Sequence, residues 1–382
     1  MSVNTGALHA MMIEKMIASN GFLSFDDFMS MALYEPKLGY YESEHVFGAQ
    51  GDYVTGADLG PWLALGFADL IAWGWEQLGR PKDWVLLEQG GGSGRLLTQV
   101  LRCLREQGIE VPKIAAVERS AWMRERQKAH YKEHGLDVEQ YEILTDLSFD
   151  APVLMMCNEL PDAFPVQCFT YSKHRFFERG VGLENDTWVW KTSSEPMLHT
   201  PNIDESIQQM WPDGYQSEFN PHLAQWQQDV AAIMESGFMF CVDYGYSQQE
   251  YYRPNREQGT LMGHQAHQVI DDVLKEPSSC DMTAHIDFTD LALSGLAHGL
   301  LPAAFMSQGA WLAQSPTVQA AIMALAEEGS AEAMQALAHA KRMLLPFGMG
   351  ETFKILIQCK GAQQSPDYLK AFNHLSDLRL NV

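Results

Sequence analysis

The chain of 382 residues contains 46% hydrophobic, 11% aromatic and 20% charged residues, a composition that excludes disordered, collagen-like and mucin-like proteins. Its length suffices for one large domain with insertions, or for two domains of about 150–200 residues each. With 26 Lys and Arg against 49 Asp and Glu, its formal charge is −23, the wrong sign for a protein that grips nucleic acid phosphates.

The cysteines and the apolar stretches bear on where the protein works. The six cysteines form no Cys-x-x-Cys pair, and several lie in apolar, strand-like runs, which is typical of reduced core thiols. No apolar stretch approaches the roughly 20 residues that a membrane span needs. The first twenty residues lack a basic or small-residue cleavage signature. We therefore expect a soluble, cytoplasmic protein.

In chain order, the pattern first predicts a helical region. Apolar positions recur at helical spacing over residues 7–35, and Ser24 followed by Asp27 is a capping arrangement that starts a second helix. A stretch rich in glycine and aromatic residues covers 38–55, before another helix at 60–79. Such a stretch is typical of a binding loop, and equally of a surface connection with a few ring anchors.

From residue 84 the apolar pattern changes from helical spacing to short continuous runs. Helical segments alternate with these runs, which predicts an α/β fold with a parallel sheet and right-handed crossovers. The strand-like runs are 84–88, 113–118, 141–144, 153–157 and 238–243. The clearest of them stop in polar residues, namely Glu88, Glu118, Asn158 with Glu159, and Asp243. Since open α/β sheets bind ligands at the carboxyl ends of their strands, these residues mark the expected site.

The alternation divides the chain into four expected parts. Residues 1–80 form an N-terminal helical region followed by the glycine- and aromatic-rich loop. The sheet core is assembled from 81–160, 233–306 and 351–362. Residues 161–232, rich in Pro, Trp and polar residues, form an insertion or substrate arm, and 307–350 form a helical cap.

The sharpest motif is the run Glu-Gln-Gly-Gly-Gly-Ser-Gly at 88–94, between the first strand and its helix. Without a Cβ, Gly90, Gly92 and Gly94 let the backbone turn tightly and press against a ligand. A dinucleotide fingerprint would need glycine in place of Arg95, and a Walker A loop would need a following Gly-Lys-Ser/Thr. The spacing acid-x-Gly-x-Gly-x-Gly instead matches the first motif of S-adenosylmethionine-dependent methyltransferases. The alternative is a plain tight turn.

Two further strand ends complete the predicted cofactor site. Glu118, thirty residues past Glu88, is the acid expected to accept both ribose hydroxyls of a nucleoside cofactor. Asn158 is expected to hydrogen-bond the cofactor or a substrate nitrogen, unless it only caps the following helix. We therefore expect S-adenosyl-L-methionine as the cofactor, and Arg95 disfavours a nicotinamide-dependent oxidoreductase.

From residue 34 to residue 354, the sequence resembles the MidA-like family of S-adenosylmethionine-dependent methyltransferases, relatives of the mitochondrial complex I assembly factor that is a protein-arginine methyltransferase. The matching stretches include Leu38-Gly39-Tyr40-Tyr41, Gly51-Asp52-Tyr53-Val54-Thr55, Glu178-Arg179-Gly180-Val181, Val242-Asp243-Tyr244-Gly245 and Asp281-Met282-Thr283-Ala284-His285. The resemblance implies a Rossmann-like class I methyltransferase sheet and a protein substrate with an accessible arginine. It also implies that Thr55 helps a loop to close over the cofactor.

This chain departs from the family's usual pattern at three places. Gly91 stands where Pro or Ala is usual, Leu160-Pro161 where aromatic residues are usual, and Ser279-Cys280 where Gly-Glu is usual. The first change is expected to leave the cofactor loop intact. The other two changes fall near the expected substrate side, so they affect the prediction of the methyl acceptor more than that of the cofactor.

The candidate catalytic residues follow from the chemistry of methyl transfer, an in-line displacement in which the enzyme mainly aligns the methyl carbon with the acceptor nitrogen. Glu159 and Asp162 are placed to clamp a guanidinium and orient one nitrogen, or else only to complement a helix dipole. Asp243 is the next candidate acid. His285 is expected to be a structural histidine or to accept a proton from the substrate, and no metal is expected.

The acidic surface would steer an arginine-bearing protein toward this chain. We expect no nucleic acid partner and no membrane partner, and a homodimer is left open. The alternative function is a non-catalytic assembly or chaperone protein that keeps the cofactor-binding fold. The retained acids at 88 and 118 and the glycine spacing argue against it, since a scaffold has no need of them.

Overall fold

The structure is a computed structural model that describes residues 3–42, 56–265, 268–270, 272–361 and 365–380. Its helices are α1 (Val3–Ala18), α2 (Phe25–Tyr34), α3 (Trp62–Gln77), α4 (Arg95–Glu106), α5 (Ala121–Glu133), α6 (Glu205–Gln208), α7 (Leu223–Ala232), α8 (Gln248–Tyr251), α9 (Phe288–Ala297), α10 (Gln308–Gln314), α11 (Pro316–Glu328) and α12 (Ala331–Leu344). Its strands are β1 (Val85–Gln89), β2 (Lys113–Val117), β3 (Glu139–Tyr141), β4 (Val153–Asn158), β5 (Gln167–Ser172), β6 (Arg175–Glu184), β7 (Thr187–Pro196), β8 (Tyr215–Phe219), β9 (Gly237–Tyr246), β10 (Met262–Gln265), β11 (Gln268–Ile270), β12 (Asp281–Thr283), β13 (Ile286–Asp287), β14 (Leu301–Ser307) and β15 (Phe353–Lys360).

The chain forms two compact units from alternating stretches. The first unit takes Met1–Tyr53, Pro161–Leu223 and Tyr246–Asp290. The second unit takes Val54–Leu160, Ala224–Gly245 and Leu291–Val382. No helix within the described ranges is both long and apolar enough to cross a membrane.

The second unit is built on a sheet with the strand order β14-β15-β9-β4-β1-β2-β3. The strands from β9 to β3 are parallel, and β15 and β14 continue the sheet in antiparallel pairs. Residues 153–157 are all buried, because a central parallel strand is covered on both faces and therefore has a continuous apolar sequence. The predicted α/β class with a parallel sheet is confirmed.

The helices of the second unit cover this sheet through apolar stripes. In α4, the buried residues Leu97, Val100, Leu101 and Leu104 recur at helical spacing. In α5, Ser120 caps the first turn by accepting a hydrogen bond from the backbone N–H of Met123 at 3.3 Å. Both helices therefore start at the carboxyl edge of the sheet, directly after β1 and β2.

The first unit contains α1, α2 and two antiparallel sheets, ordered β7-β6-β5-β8 and β11-β10-β12. The predicted cap of α2 is present, since Ser24 Oγ accepts a hydrogen bond from the backbone N–H of Asp27 at 3.1 Å. One core joins Phe28 of α2 to Val181 of β6 and Met282 of β12, all fully buried.

The structure divides the chain differently from the four parts expected. Helix α3, expected in the N-terminal region, belongs to the second unit because its apolar residues pack into the core of the sheet. Residues 246–290, expected in the sheet core, belong to the first unit, where Cys280 and Met282 are buried. Strand β3 ends at Tyr141, earlier than expected, and the apolar side chain of Ile143 is exposed.

Gly237, the first residue of β9, tests the packing of the central strands. Its φ is +150°, and a Cβ would collide with the carbonyl oxygen of Val153. We expect Gly237→Ala to lower the free energy of unfolding by about 2–3 kcal/mol. Gly108→Ala is the matched control, because Gly108 also has a positive φ of +76° but has open space around it. There the loss should be about 1 kcal/mol. Equal losses in urea denaturation would show that the collision does not occur.

Candidate functional site

The register of three parallel strands brings the predicted polar residues to one edge of the second unit's sheet. Gln89 of β1 lies opposite Val117 of β2 on one side and Cys157 of β4 on the other. The next residues along the chain, Gly90, Glu118 and Asn158, are therefore level with one another. Asn158 lies opposite Val242 of the next strand, β9. Asp243 of β9 is therefore one position further along than Val242.

The glycine loop requires its glycines for two reasons. Gly90, Gly92 and Gly94 have φ values of +71°, +51° and +78°, which side-chain-bearing residues rarely adopt. In addition, a Cβ on Gly90 would lie 2.7 Å from Leu160 Cδ1, and a Cβ on Gly94 would lie 2.7 Å from Tyr131 Cε1. The loop backbone is thus packed tightly from behind by side chains of its own unit.

Glu88 lies beneath the loop and is 2% exposed. A Cβ on Gly91 would collide with its carboxylate, so the glycine that departs from the family pattern makes room for this side chain. Neither carboxylate oxygen has a hydrogen-bond partner of normal geometry among the described residues. Burial, and secondarily the negative charge of Glu118, raise the pKa of Glu88 to about 8, and the nearby backbone N–H of Leu97 only partly offsets this.

Helix α5 supports the loop through a residue that the sequence analysis missed. Gln127 is fully buried, and its Nε2 donates a hydrogen bond to the carbonyl oxygen of Gly92 at 2.9 Å. Its Oε1 accepts a hydrogen bond from Gln140 Nε2 at 3.1 Å, which fixes the orientation of the amide. Tyr131, four residues further along the helix, packs behind Gly94. The sequence feature that could have identified Gln127 is a glutamine at a position that the helical pattern places on the buried side of α5.

Glu118 and Glu159 are both oriented by neighbouring donors. Glu118 Oε1 accepts a hydrogen bond from the backbone N–H of Ser120 at 3.0 Å. Glu159 has a positive φ of +52°, and its Oε1 accepts hydrogen bonds from Asn158 Nδ2 at 3.0 Å and from the backbone N–H of Gly56 at 3.4 Å. Asn158 Oδ1 is a buried acceptor that has no partner among the described residues.

The remaining predicted residues are placed in different parts of the chain. Asp243 is fully buried in β9, and its Oδ1 accepts a hydrogen bond from the backbone N–H of Tyr244 at 2.8 Å. Asp162 and His285 belong to the first unit, where the backbone N–H of Ala284 donates to the carbonyl oxygen of Asp162 at 3.0 Å. Thr55 lies outside the described residues.

His285 is held on both its backbone and its ring. Its backbone N–H donates to Thr260 Oγ1 at 2.9 Å, and its ring stacks on Tyr246 with centroids 5.3 Å apart and planes 6° apart. The structure thus brings Asp162 and His285 to one region of the first unit.

The protonation of Glu88 makes a pH-dependent prediction. The folded protein keeps this proton up to about pH 8, whereas the unfolded chain loses it near the ordinary pKa of 4.5. The free energy of unfolding should therefore fall as the pH rises through this window. We expect Glu88→Gln to match the wild-type protein near about pH 5 and to be more stable by a few kcal/mol above about pH 8.

Urea denaturation at these two pH values measures the effect. Glu110→Gln serves as the control, because Glu110 is exposed and lies outside the loop. A Glu88→Gln variant whose advantage did not change with pH would show that Glu88 is ionised throughout.

Comparisons with known proteins agree with this geometry. Residues 67–306 match a family model described as "Putative S-adenosyl-L-methionine-dependent methyltransferase". The chain is 25% identical over 320 residues to a Caenorhabditis elegans protein named protein arginine methyltransferase NDUFAF7 homolog, mitochondrial, covering 74% of this chain and 70% of the relative. The Danio rerio protein arginine methyltransferase NDUFAF7, mitochondrial, is 25% identical over 310 residues, covering 72% and 69%.

A solved structure extends the similarity to almost the whole chain. A Burkholderia thailandensis protein described as a "likely methyl transferase", with S-adenosyl-homocysteine bound, superposes with a TM-score of 0.86 at 26% identity. The match covers 97% of this chain and 96% of that one. The expected class I methyltransferase fold and S-adenosyl-L-methionine as the cofactor are confirmed.

One expectation is wrong. The relatives are named mitochondrial proteins, which contradicts the cytoplasmic location expected from the sequence. The expected family, by contrast, is confirmed, because the family model spans well over half of the chain. This chain belongs to the family of S-adenosyl-L-methionine-dependent methyltransferases that the model describes.

Proposed function

We propose that this methyltransferase is a protein-arginine N-methyltransferase. The observation that carries the proposal is the carboxylate of Glu159, held by Asn158 and Gly56 at the end of β4, which pairs with the strand that leads into the cofactor loop. The names of the relatives, which are about 25% identical to this chain, support arginine as the acceptor.

The residues at the carboxyl edge fit S-adenosyl-L-methionine. We assign the bare main chain of Gly90, Gly92 and Gly94 to the face that lies against the cofactor. All three have a positive φ, and a Cβ on Gly90 or Gly94 would have no room. Glu118 would accept the ribose hydroxyls, and the buried Oδ1 of Asn158 would accept a further hydrogen bond. When bound, the cofactor supplies a methyl group on a positively charged sulfur. Glu88 would act from beneath the loop, because its side chain is buried.

Glu159 would orient the acceptor. An arginine guanidinium is protonated and delocalised, so it is a poor nucleophile until one nitrogen is singled out. A carboxylate that accepts two parallel hydrogen bonds fixes the guanidinium plane and stabilises its positive charge. The positive φ of Glu159 is the kind of backbone strain that persists where the surrounding structure enforces it, often at functional sites.

The other three acids and bases stay proposals for the substrate side. Asp162 would be a second acid for the guanidinium, and His285 would accept the proton that the attacking nitrogen loses. Asp243, which is fully buried, would act by holding the main chain of Tyr244 within β9. We also propose a polypeptide rather than a nucleic acid as the acceptor, because a formal charge of −23 repels polyphosphates.

Glu159→Gln tests the proposed orientation of the acceptor. The amide keeps the size of the side chain but loses the charge that holds a guanidinium. We expect the dissociation constant for S-adenosyl-L-methionine to change less than about twofold and methyl transfer to fall about 100-fold. Calorimetry and transfer of labelled methyl groups measure the two effects, with Glu110→Gln as the exposed control. Undiminished turnover would remove Glu159 from the mechanism.

The acceptor itself can be identified by labelling. We expect the purified protein, incubated with a labelled methyl donor and an extract from a strain that lacks it, to label a polypeptide. Acid hydrolysis should then release the label as methylarginine. Label in methyllysine or in nucleic acid would contradict arginine as the acceptor. Labelling of no molecule, with cofactor binding intact, would favour the non-catalytic assembly protein.

Gln127→Leu tests the support of the cofactor loop from α5. The leucine fills the buried site but removes the donor to the carbonyl oxygen of Gly92. We expect the affinity for S-adenosyl-L-methionine to fall about tenfold, since a lost buried hydrogen bond costs about 1–2 kcal/mol. The control is Gln335→Leu on α12, which is exposed. Unchanged affinity in a folded Gln127→Leu protein would show that the loop holds its shape without this bond.

A further inference from the structure

The charge of this acidic chain is unevenly distributed. Residues 95–134 carry nine Lys and Arg against five Asp and Glu, whereas the rest of the chain carries 17 against 44. The segment therefore has a net charge of +4 within a chain that is otherwise at −27. It includes α4, β2 and α5, the elements that follow the glycine loop.

The positive side chains of the two helices point away from the sheet. In α4, Arg102 and Arg105 are exposed, whereas Leu101 and Leu104 face the core. In α5, Lys128 and Lys132 are exposed and four residues apart, so they share one side of the helix. We call these four side chains, together with the exposed Arg95, the basic face.

The two helices lie next to each other on one side of the sheet. The strand order β1-β2-β3 advances in one direction, and right-handed crossovers then place α4 and α5 on the same side. Tyr131 of α5 packs against Gly94, the residue that precedes α4. Residues of the two helices also interact electrostatically. The pKa of His130 on α5 is lowered by burial, by His134 and, more weakly, by Arg95 at the start of α4, while Glu133 raises it.

Four charges of the basic face, those of Arg102, Arg105, Lys128 and Lys132, are poorly neutralised by the residues that the structure describes. Arg102 and Lys128 have acidic neighbours only at 3.8 and 3.9 Å, at exposed positions of their own helices. Such contacts contribute little, and they are screened by salt. Arg105 and Lys132 have no acidic side chain within 4.0 Å among the residues that the structure describes.

We propose that the basic face is a docking surface for a short acidic segment of another polypeptide. Charge complementarity selects the partner, since the face consists of five positive side chains in a segment with a net charge of +4. Helix α4 has 12 residues and is therefore about 18 Å long, the span of about six residues of extended chain. A nucleic acid fits less well, because the chain outside this segment has a net charge of −27, which repels phosphates beyond the face.

The position of the face connects it to the cofactor loop. The inner side of α5 holds Gly92 through Gln127, while Lys128 and Lys132 lie on the outer side of the same helix. A docked segment would therefore rest on the back of the element that supports the loop. This inference does not depend on arginine as the methyl acceptor.

The test measures the binding of a fluorescein-labelled poly-glutamate peptide of about 12 residues to the full chain by fluorescence anisotropy. The variant Arg105→Glu/Lys132→Glu replaces two positive charges of the face with two negative charges. The matched control is Lys341→Glu/Arg342→Glu, an exposed pair at the end of α12 that changes the net charge by the same amount. Thermal unfolding and S-adenosyl-L-methionine binding check that each variant is folded.

We expect salt-dependent binding of poly-glutamate that weakens about tenfold or more in the Arg105/Lys132 variant and less than about twofold in the control. Equal weakening in both variants would overturn the proposal, since net charge alone would then explain binding. Absence of binding, or tighter binding of a single-stranded oligonucleotide of the same length, would also overturn it. So would concentration-dependent self-association that the Arg105/Lys132 variant abolishes, because the face would then be occupied by a second copy.

Discussion

The close approach between the main chain of residues 90–94 and the side chains behind it determines the candidate cofactor site. The loop leaves β1 in a backbone conformation that glycine adopts easily, and Leu160 and Tyr131 occupy the space that Cβ atoms would take. Because the loop is packed from behind, its open side keeps a fixed shape. A fixed shape matters here, since a rigid cradle does not have to be ordered when a ligand binds.

Two buried polar groups support the loop in different ways. Gln127 is satisfied by hydrogen bonds on both ends of its amide, so its burial costs little. Glu88 has no such partners among the described residues, and it avoids a buried charge by keeping its proton. Gly91 gives this carboxyl group its space, because a Cβ at that position would collide with it.

The sequence was sufficient for features that depend on neighbours along the chain. The apolar runs predicted the parallel strands, and Glu118 and Asn158 were correctly placed at one edge because parallel strands end on the same side. Strand β9, by contrast, continues past Asp243 to Tyr246. The sequence did not reveal Gln127, whose role depends on a contact with Gly92, 35 residues away. It also did not show that residues 246–290 pack with α2, since a buried position does not identify its partner. The positive φ of Glu159 likewise depends on its surroundings rather than on its residue type.

The net charge of this chain and its individual surface charges affect a partner at different distances. At physiological ionic strength, the field of an exposed charge is screened within about 8 Å. A partner far from the surface therefore responds weakly to the net charge of −23, whereas a partner in contact responds to the few side chains it touches. The positive side chains of α4 and α5 can thus attract an acidic segment even though the chain as a whole is acidic.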